Sequence, residues 1–412
     1  CQEFIKLEFL DRHVNSCGYS PTTCTNTGCA QVKNRNEKER HEREQCEFRK
    51  IVCDECGEQV TWKSSRVHPC FMRKEIDELA RRLNNVQNDV GAVKEKVERV
   101  EMTQEEMAYI TKEAIERYDL FSGRRKIFVC GGYELNFVES YSWPDNSWTL
   151  EPAMKEKRSG ASAFVHGREI YVSGGERGPK AMDSIEILNV DEENLGWMPS
   201  GVTMPIKCCG HKMVSYDNSA ILTGGRDGVT VSDGIYEISL NPPYNTKLLT
   251  QVPEPRCDHG CEIIHNHVIV AGGSTSNYLK DAKNTVYAYD LSNNEFKTLP
   301  PLPLAVSAMA TVSYKDNVIL IGGFNEKAQT LSSVVMYDVK TGKVKMLPCL
   351  NHKRAECTAV ITGNVIIVMG GYDYETKTFL RSVEYLDLTT NVWRKLAPMT
   401  TRRCLTTAIV KP

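Results

Sequence analysis

No run of about eighteen apolar residues occurs in this 412-residue chain, so nothing in it reads as a membrane-spanning helix. Neither sign of charge dominates. The 51 lysines and arginines stand against 53 aspartates and glutamates, a formal net charge of −2, and without a large positive field the chain does not read as a nucleic-acid-coating protein. It has no Gly-rich phosphate loop and no Ser/His/Asp arrangement. The histidines of the C-terminal part (His166, His211, His259, His265, His267 and His352) share no register that would converge on a copper site, although His211 and His259 come close to equivalent positions. No charged-then-apolar leader follows Cys1, so no signal peptide is visible. These absences favour a binding chain over an enzyme, with length for two or three domains.

Cysteine, by contrast, is plentiful and unevenly spread. Eight of the sixteen cysteines lie in the first 70 residues, interleaved with three histidines; the other eight are scattered, as reduced intracellular thiols are. The early set repeats. Cys1 and His13, Cys29 and His41, and Cys56 and His68 are each separated by eleven residues, and Cys17, Cys46 and Cys70 follow them. Cys24 precedes the second pair and Cys53 the third. Thiolate and imidazole in sets of four are what a closed, structural Zn²⁺ site takes, and the metal supplies folding free energy that so short a finger cannot obtain from its core. Ile5, Val32 and Val60 give each finger one apolar plug.

The Cys…Cys…His…Cys order, carried by "HVNSCGYSPTTCTNTGCA" and "CEFRKIVCDECGEQV", resembles the TRAF-type zinc finger family over residues 1–70. Because the last ligand is Cys and "NRNEKERHEREQ" is nearly as acidic as basic, a protein surface or spacer is expected here, not DNA reading.

Residues 71–120 change character. Ile76, Leu79, Leu83, Val86, Val90, Val93, Val97 and Val100 recur at gaps of three and four, which fills positions a and d of four heptads. The flanks alternate in charge and no proline interrupts. This predicts a coiled-coil oligomerisation helix, a trimer or a dimer, with valine at d leaning toward the trimer; one long helix packed on a neighbouring domain is the alternative. Gln104 breaks this seam, and Met107, Ile110 and Ile115 are expected to continue on a shifted face toward the following domain.

From residue 121 onward the chain repeats. Glycine pairs close six apolar runs, at Gly131–Gly132, Gly174–Gly175, Gly224–Gly225, Gly272–Gly273, Gly322–Gly323 and Gly370–Gly371, at intervals of 43 to 50 residues. Runs such as "HVIVAGG", "NVILIGG" and "VIIVMGG" are β-branched strands, each preceded by one short strand and followed by two more. Such a period built of short strands signals the blades of a β-propeller. This part resembles the kelch family over nearly 290 residues. The fold class expected is mainly β: a six-bladed kelch propeller over 121–412, preceded by the small zinc-finger array and the long helix. The first blade starts in its second strand at Lys126, so the C-terminal strand at 405–410 is expected to complete it and remove the sheet edges.

Arg158, Lys207, Arg256, Ala305, Arg354 and Arg403 recur every 49 residues. Two readings of the five cations stand: a ring that captures an acidic or phosphorylated partner segment, or staples that tie the blades together. Cys208, Cys257 and Cys404 lie one residue further on, where cations could make them reactive or where they fill a crowded strand. The resemblance to kelch substrate receptors implies a peptide-binding surface. Since TRAF-type fingers commonly follow a RING domain, it also implies the substrate-recognition part of a RING-type ubiquitin ligase. The alternative is a non-catalytic signalling or cytoskeletal scaffold. Either would be cytoplasmic, with structural Zn²⁺ as its cofactor.

Overall fold

The computed structural model describes residues 21–23, 25–52, 56–61, 63, 104–192 and 196–411. It divides into two units, Cys1–Thr103 and Gln104–Pro412. The heptad positions from Ile76 to Val100 lie outside the described residues, as do the expected ligands Cys1, His13, Cys17, Cys24, Cys53, His68 and Cys70.

In the first unit two hairpins are described, Pro21–Thr23 with Val32–Asn34 and Lys50–Val52 with Gln59–Thr61. Between them the helix Arg35–Arg40 runs into a wider π-type turn, His41–Gln45.

The second unit opens with the helix Gln104–Phe121 and continues as six four-stranded antiparallel sheets, the expected blade count. Blade 4 shows the plan: Gly260–Ile264 innermost, then His267–Ala271, Val286–Asp290 and Glu295–Leu299. The second strand of each blade is packed on both faces by neighbouring blades, which is why it reads as an unbroken apolar run instead of an alternating one. Val365–Met369, for instance, is buried at every position. Adjacent blades share cores; Ile221 of blade 3 clusters with Val268, Val270 and Tyr289 of blade 4. Fully burying each such side chain contributes about 1.5–3 kcal/mol.

Outer strands are tied to their neighbours by tryptophan. Trp148, Trp197 and Trp393 donate their indole N–H to the carbonyls of Ala397, Pro152 and Pro348 in the loop leaving the preceding blade, at 2.8, 2.9 and 2.7 Å. The seven-residue offset of Tyr141/Trp148 and Tyr289/Phe296 is a hairpin register, because each pair sits directly opposite across the third and fourth strands.

Blade 1 is made from both ends of the unit. Thr407–Val410 pairs antiparallel with the second strand, Ile127–Gly132. Deeper in the ring, six backbone amides form a closed hydrogen-bonded circle around the central channel. Gly210 donates to Gly160, Asp258 to Gly210, Ala308 to Asp258, Glu356 to Ala308, Leu405 to Glu356 and Gly160 to Leu405, at 2.7–3.0 Å. All six residues are left-handed, with φ between 52° and 63°. Four of them are not glycine, and each pays roughly 1–2 kcal/mol for that conformation.

The helix lies on the opposite end, where first-to-second and third-to-fourth strand loops emerge. Arg117 bonds Asn364 and Asp387, Glu116 bonds the Gly363 amide, Leu120 is buried with Ile127 and Val365, and Phe121 meets Trp143. Gly363 is required there: with φ +57° and the Glu113 carbonyl 2.6 Å from where a Cβ would stand, a side chain would push the helix off. The face carrying Met107, Ile110 and Ile115 corrects the expectation. These residues are exposed and point away from the blades. Tyr109, Glu113, Glu116 and Leu120 make the contacts instead.

Candidate functional site

Two places carry chemistry. The first is in the N-terminal unit, where a turn closed by the Cys29 amide on the Asn26 carbonyl presents one thiol. The π-type turn bonds the Cys46 amide to the His41 carbonyl, five residues back, and so brings the imidazole and a second thiol to one side. The donor atoms of Cys29, His41 and Cys46 lie within 4.8 Å of one another. Cys29 Sγ and His41 Nε2 are 3.6 Å apart, and tetrahedral Zn–S and Zn–N bonds of about 2.3 and 2.0 Å would hold such donors about 3.5 Å apart. Thr25 fastens this turn to the π-type turn by donating its amide and hydroxyl hydrogens to the Glu42 carboxylate, which by accepting them is held below the usual range. The donor set therefore fits zinc. Cys56, the remaining expected ligand that is described, is exposed.

The second place is the propeller end where the glycine-pair loops and the loops between blades come together. The basic ring expected there is not a solvent-facing ring. Arg158, Arg256, Arg354 and Arg403 are at most 1% exposed and face into the blades. Arg158 bonds the Gly174 carbonyl at 2.7 Å and Glu186 at 3.1 Å. Arg354 bonds the Gly370 carbonyl at 2.7 Å and Glu384 at 2.6 Å, and Arg403 bonds the Gly131 carbonyl at 3.0 Å and pairs with Glu139. Arg256 takes its carboxylate from Glu254 at 2.7 Å, beside Tyr287. Meanwhile each arginine's own carbonyl accepts from the glycine pair of the blade it leaves, as Gly132 to Arg158 at 3.1 Å. These are staples across blade boundaries. A partner's carboxylate or phosphate has no access to them.

Lys207 and Ala305 are not members of the set. The carbonyls that accept from Gly175 and Gly273 belong to Cys208 and Val306. Lys207 is exposed instead. Counting from the glycine pair rather than from arginine to arginine would have found this: Arg158 stands 16 residues before Gly174, whereas Lys207 stands 17 before Gly224. The carboxylates follow this division in three of the four blades with arginine; in blade 4 the position is Tyr287, and Glu254 serves Arg256 instead. Across the second and third strands, Glu139, Glu186 and Glu384 occupy the register position that is Tyr236 and Val335 in the two blades without arginine.

The thiols are inert. Burial pushes Cys208 and Cys257 up to about 12 and Cys404 higher still, so at neutral pH all three are protonated. His211 and His259 are buried and neutral. Desolvation takes His211 down to about 3 and His259 well below its ordinary value, and each bonds a hydroxyl of the preceding blade, Ser173 at 3.0 Å and Thr223 at 2.8 Å.

What the sequence reading missed is aromatic. Rings run in contact from blade 5 through blade 6 to blade 1: Phe324 to Tyr374 at 4.7 Å, Tyr374 to Tyr372 at 4.7 Å, Tyr372 to Phe379 at 4.8 Å and Phe379 to Tyr133 at 6.1 Å. Tyr278 and Val229, on the corresponding loops of blades 4 and 3, are 67% and 86% exposed. At the centre of this face the ring residues Asp258 and Glu356 are occupied by Arg226 and by the Tyr374 hydroxyl, and burial holds the Glu356 carboxyl above the usual range. Tyr133, Tyr278 and Phe379, exposed around a paired polar centre, offer the large, stiff contact area on which protein interfaces depend.

Comparison with known proteins bears on the propeller. Residues 210–409 match the KLHDC2/KLHL20/DRC7 Kelch-repeats domain, and residues 157–193 match the Kelch motif. Kelch-like protein 40 of Xenopus laevis is 24% identical over 220 residues, covering 50% of this chain and 34% of that protein. Alpha-scruin of Limulus polyphemus is 26% identical over 204 residues, 45% of this chain and 22% of its own length. A shorter likeness, 35% identical over 74 residues, links 17% of the chain to 7% of the E3 ubiquitin-protein ligase PDZRN3 of Homo sapiens. The chain thus spans about a third or less of the curated relatives it matches. Blade count, repeat and family match agree: the second unit of this chain is a six-bladed kelch-repeat propeller, a protein-interaction domain.

Proposed function

We propose that the chain is the substrate-recognition and oligomerisation portion of a RING-type ubiquitin ligase, working in the cytoplasm, whose propeller captures a partner protein on the face bearing the glycine pairs. The observation that carries this reading is the exposed aromatic arc from Tyr133 to Phe379, on the end of the propeller that the helix leaves open. The segment it takes has apolar or aromatic anchors, because the arginines that would have selected an acidic one are consumed by Glu139, Glu186, Glu254 and Glu384. The first unit is a TRAF-type finger array. Its central site holds structural Zn²⁺ through Cys24, Cys29, His41 and Cys46, and flanking sites use Cys1, His13 and Cys17, and Cys53, Cys56, His68 and Cys70. The heptads between residues 76 and 100 join copies of the chain. The likeness to a protein named an E3 ubiquitin-protein ligase supports the ligase reading.

The test compares the full chain with Tyr133→Asp/Phe379→Asp in quantitative pull-downs. Loss of specific partners at an unchanged melting temperature is expected; retention of every partner would remove the arc from the reading. Metal analysis of the purified protein should return zinc, and less of it for His41→Ala. A ubiquitin-transfer assay on the full-length protein separates a ligase from a scaffold.

A further inference from the structure

We infer that the outward face of the Gln104–Phe121 helix is a contact surface for the same helix of a second copy, so that self-association extends onto the propeller itself; this rests on the self-association reading above. Counting heptads from Ile76 as position a, the frame that places Val97 at a and Val100 at d next gives a and d to Gln104, Met107, Thr111, Ala114, Tyr118 and Phe121. In the structure Met107, Thr111, Ala114 and Tyr118 form one exposed stripe, with Met107 57% and Tyr118 52% exposed. Ile110 and Ile115, at the flanking g and e positions, are 51% and 54% exposed and widen it.

The propeller, meanwhile, is met by Tyr109 and Glu116 at f and by Glu113 and Leu120 at c, the side of the helix opposite the seam. A polar outer face is the rule for a heptad helix. Here that face carries Tyr109 and Leu120 because the blades cover it; Arg117 at g and Phe121, the last d position, also meet the propeller, and the a and d positions from Met107 to Tyr118 are left free. Small Thr111 and Ala114 between large Met107 and Tyr118 allow two backbones to approach at the middle of the stripe while the ends interdigitate. The occupant is a second copy, because by sequence count the stripe resumes, past Gln104, the frame of the eight apolar a and d residues upstream.

Sedimentation equilibrium on the full chain tests this, with wild type and three variants compared. Met107→Glu/Tyr118→Glu places carboxylates in the stripe without touching the propeller, and Val90→Glu/Val97→Glu does the same upstream. The stripe variant is expected to associate at least tenfold more weakly than wild type, with the propeller's melting temperature unchanged; Ala114→Arg should reproduce the effect. If the upstream variant dissociates and both stripe variants match wild type, the helix face plays no part, although the chain does self-associate. A wild type that is monomeric at every concentration overturns both readings.

Discussion

At Arg354 a guanidinium with no solvent exposure is held by the Gly370 carbonyl and by Glu384, and the same arrangement recurs at Arg158 and Arg403. Removing one member of such a pair leaves a buried charge without a counter-charge, at a cost of about 3–5 kcal/mol. Arg354→Met should therefore lower stability in urea titrations by that amount. Arg354→Met/Glu384→Leu should recover most of it, whereas exposed Lys207→Ala should stay within about 0.5 kcal/mol of wild type. The buried histidines make a second prediction. Burial, with Lys212 and Arg158 beside His211 and with Lys212 and Arg256 beside His259, keeps both neutral in the folded protein. Their unfolded forms take up protons below about pH 6.5, so stability is complete above that value and falls as pH drops toward 3, by roughly 1 kcal/mol per pH unit for each. Glu262 and Glu356 oppose this, since burial raises them and the folded state then gains from their protonation as pH falls. Melting temperature against pH should slope downward between pH 6.5 and 4.5, and His211→Gln/His259→Gln should flatten it.

One helix and one turn matter most at the level of elements. The helix at 104–121 is two-sided: docked by Leu120 and Arg117, exposed at Met107 and Tyr118. Leu120 has no solvent exposure, and truncating such a leucine costs about 2–5 kcal/mol through lost burial and the cavity left behind. Leu120→Ala should lower the unfolding midpoint by that amount without altering the far-UV signature of the blades. The sequence pattern made this segment a helix, but it assigned Met107, Ile110 and Ile115 to the propeller side, and they are exposed. Tyrosine sits on both sides of it, Tyr109 docked and Tyr118 exposed, and only the position of the blades distinguishes a docked face from a free one. In the finger, spacing alone paired Cys29 with His41, and the π-type turn supplies the reason His41 and Cys46 reach one point despite being five apart.

For the whole molecule the decisive feature is closure. The last residues contribute Arg403 to the Glu139 pair, Leu405 to the circle of amides and Thr407–Val410 to the first blade. Deleting residues 403–412 would leave Ile127–Gly132 as an exposed apolar edge, which promotes aggregation. The truncated protein should be insoluble or melt without cooperativity; a soluble form with the wild-type melting temperature would show that the clasp is dispensable.

Repetition was legible because every blade must solve the same packing problem with the same local means: an apolar second strand, a glycine pair where the backbone turns tightly and, in three blades, a tryptophan seven residues past the third-strand position. Those features are short-range and survive in one dimension, and so do the blade number, the ring's closing strand and the cysteine–histidine spacing. The direction of the arginines was not legible. Their partners Glu139, Glu186 and Glu384 lie 8, 12 and 14 residues after their glycine pairs, so loops of different length hide a constant contact from any fixed spacing. The aromatic arc escaped for the same reason, since Phe324, Tyr374 and Tyr133 come from loops of three blades and meet only when the toroid brings the first and last of them side by side. Sequence alone set what each blade is; the folding of the ring decided which charges are buried and which surface is left to touch another protein.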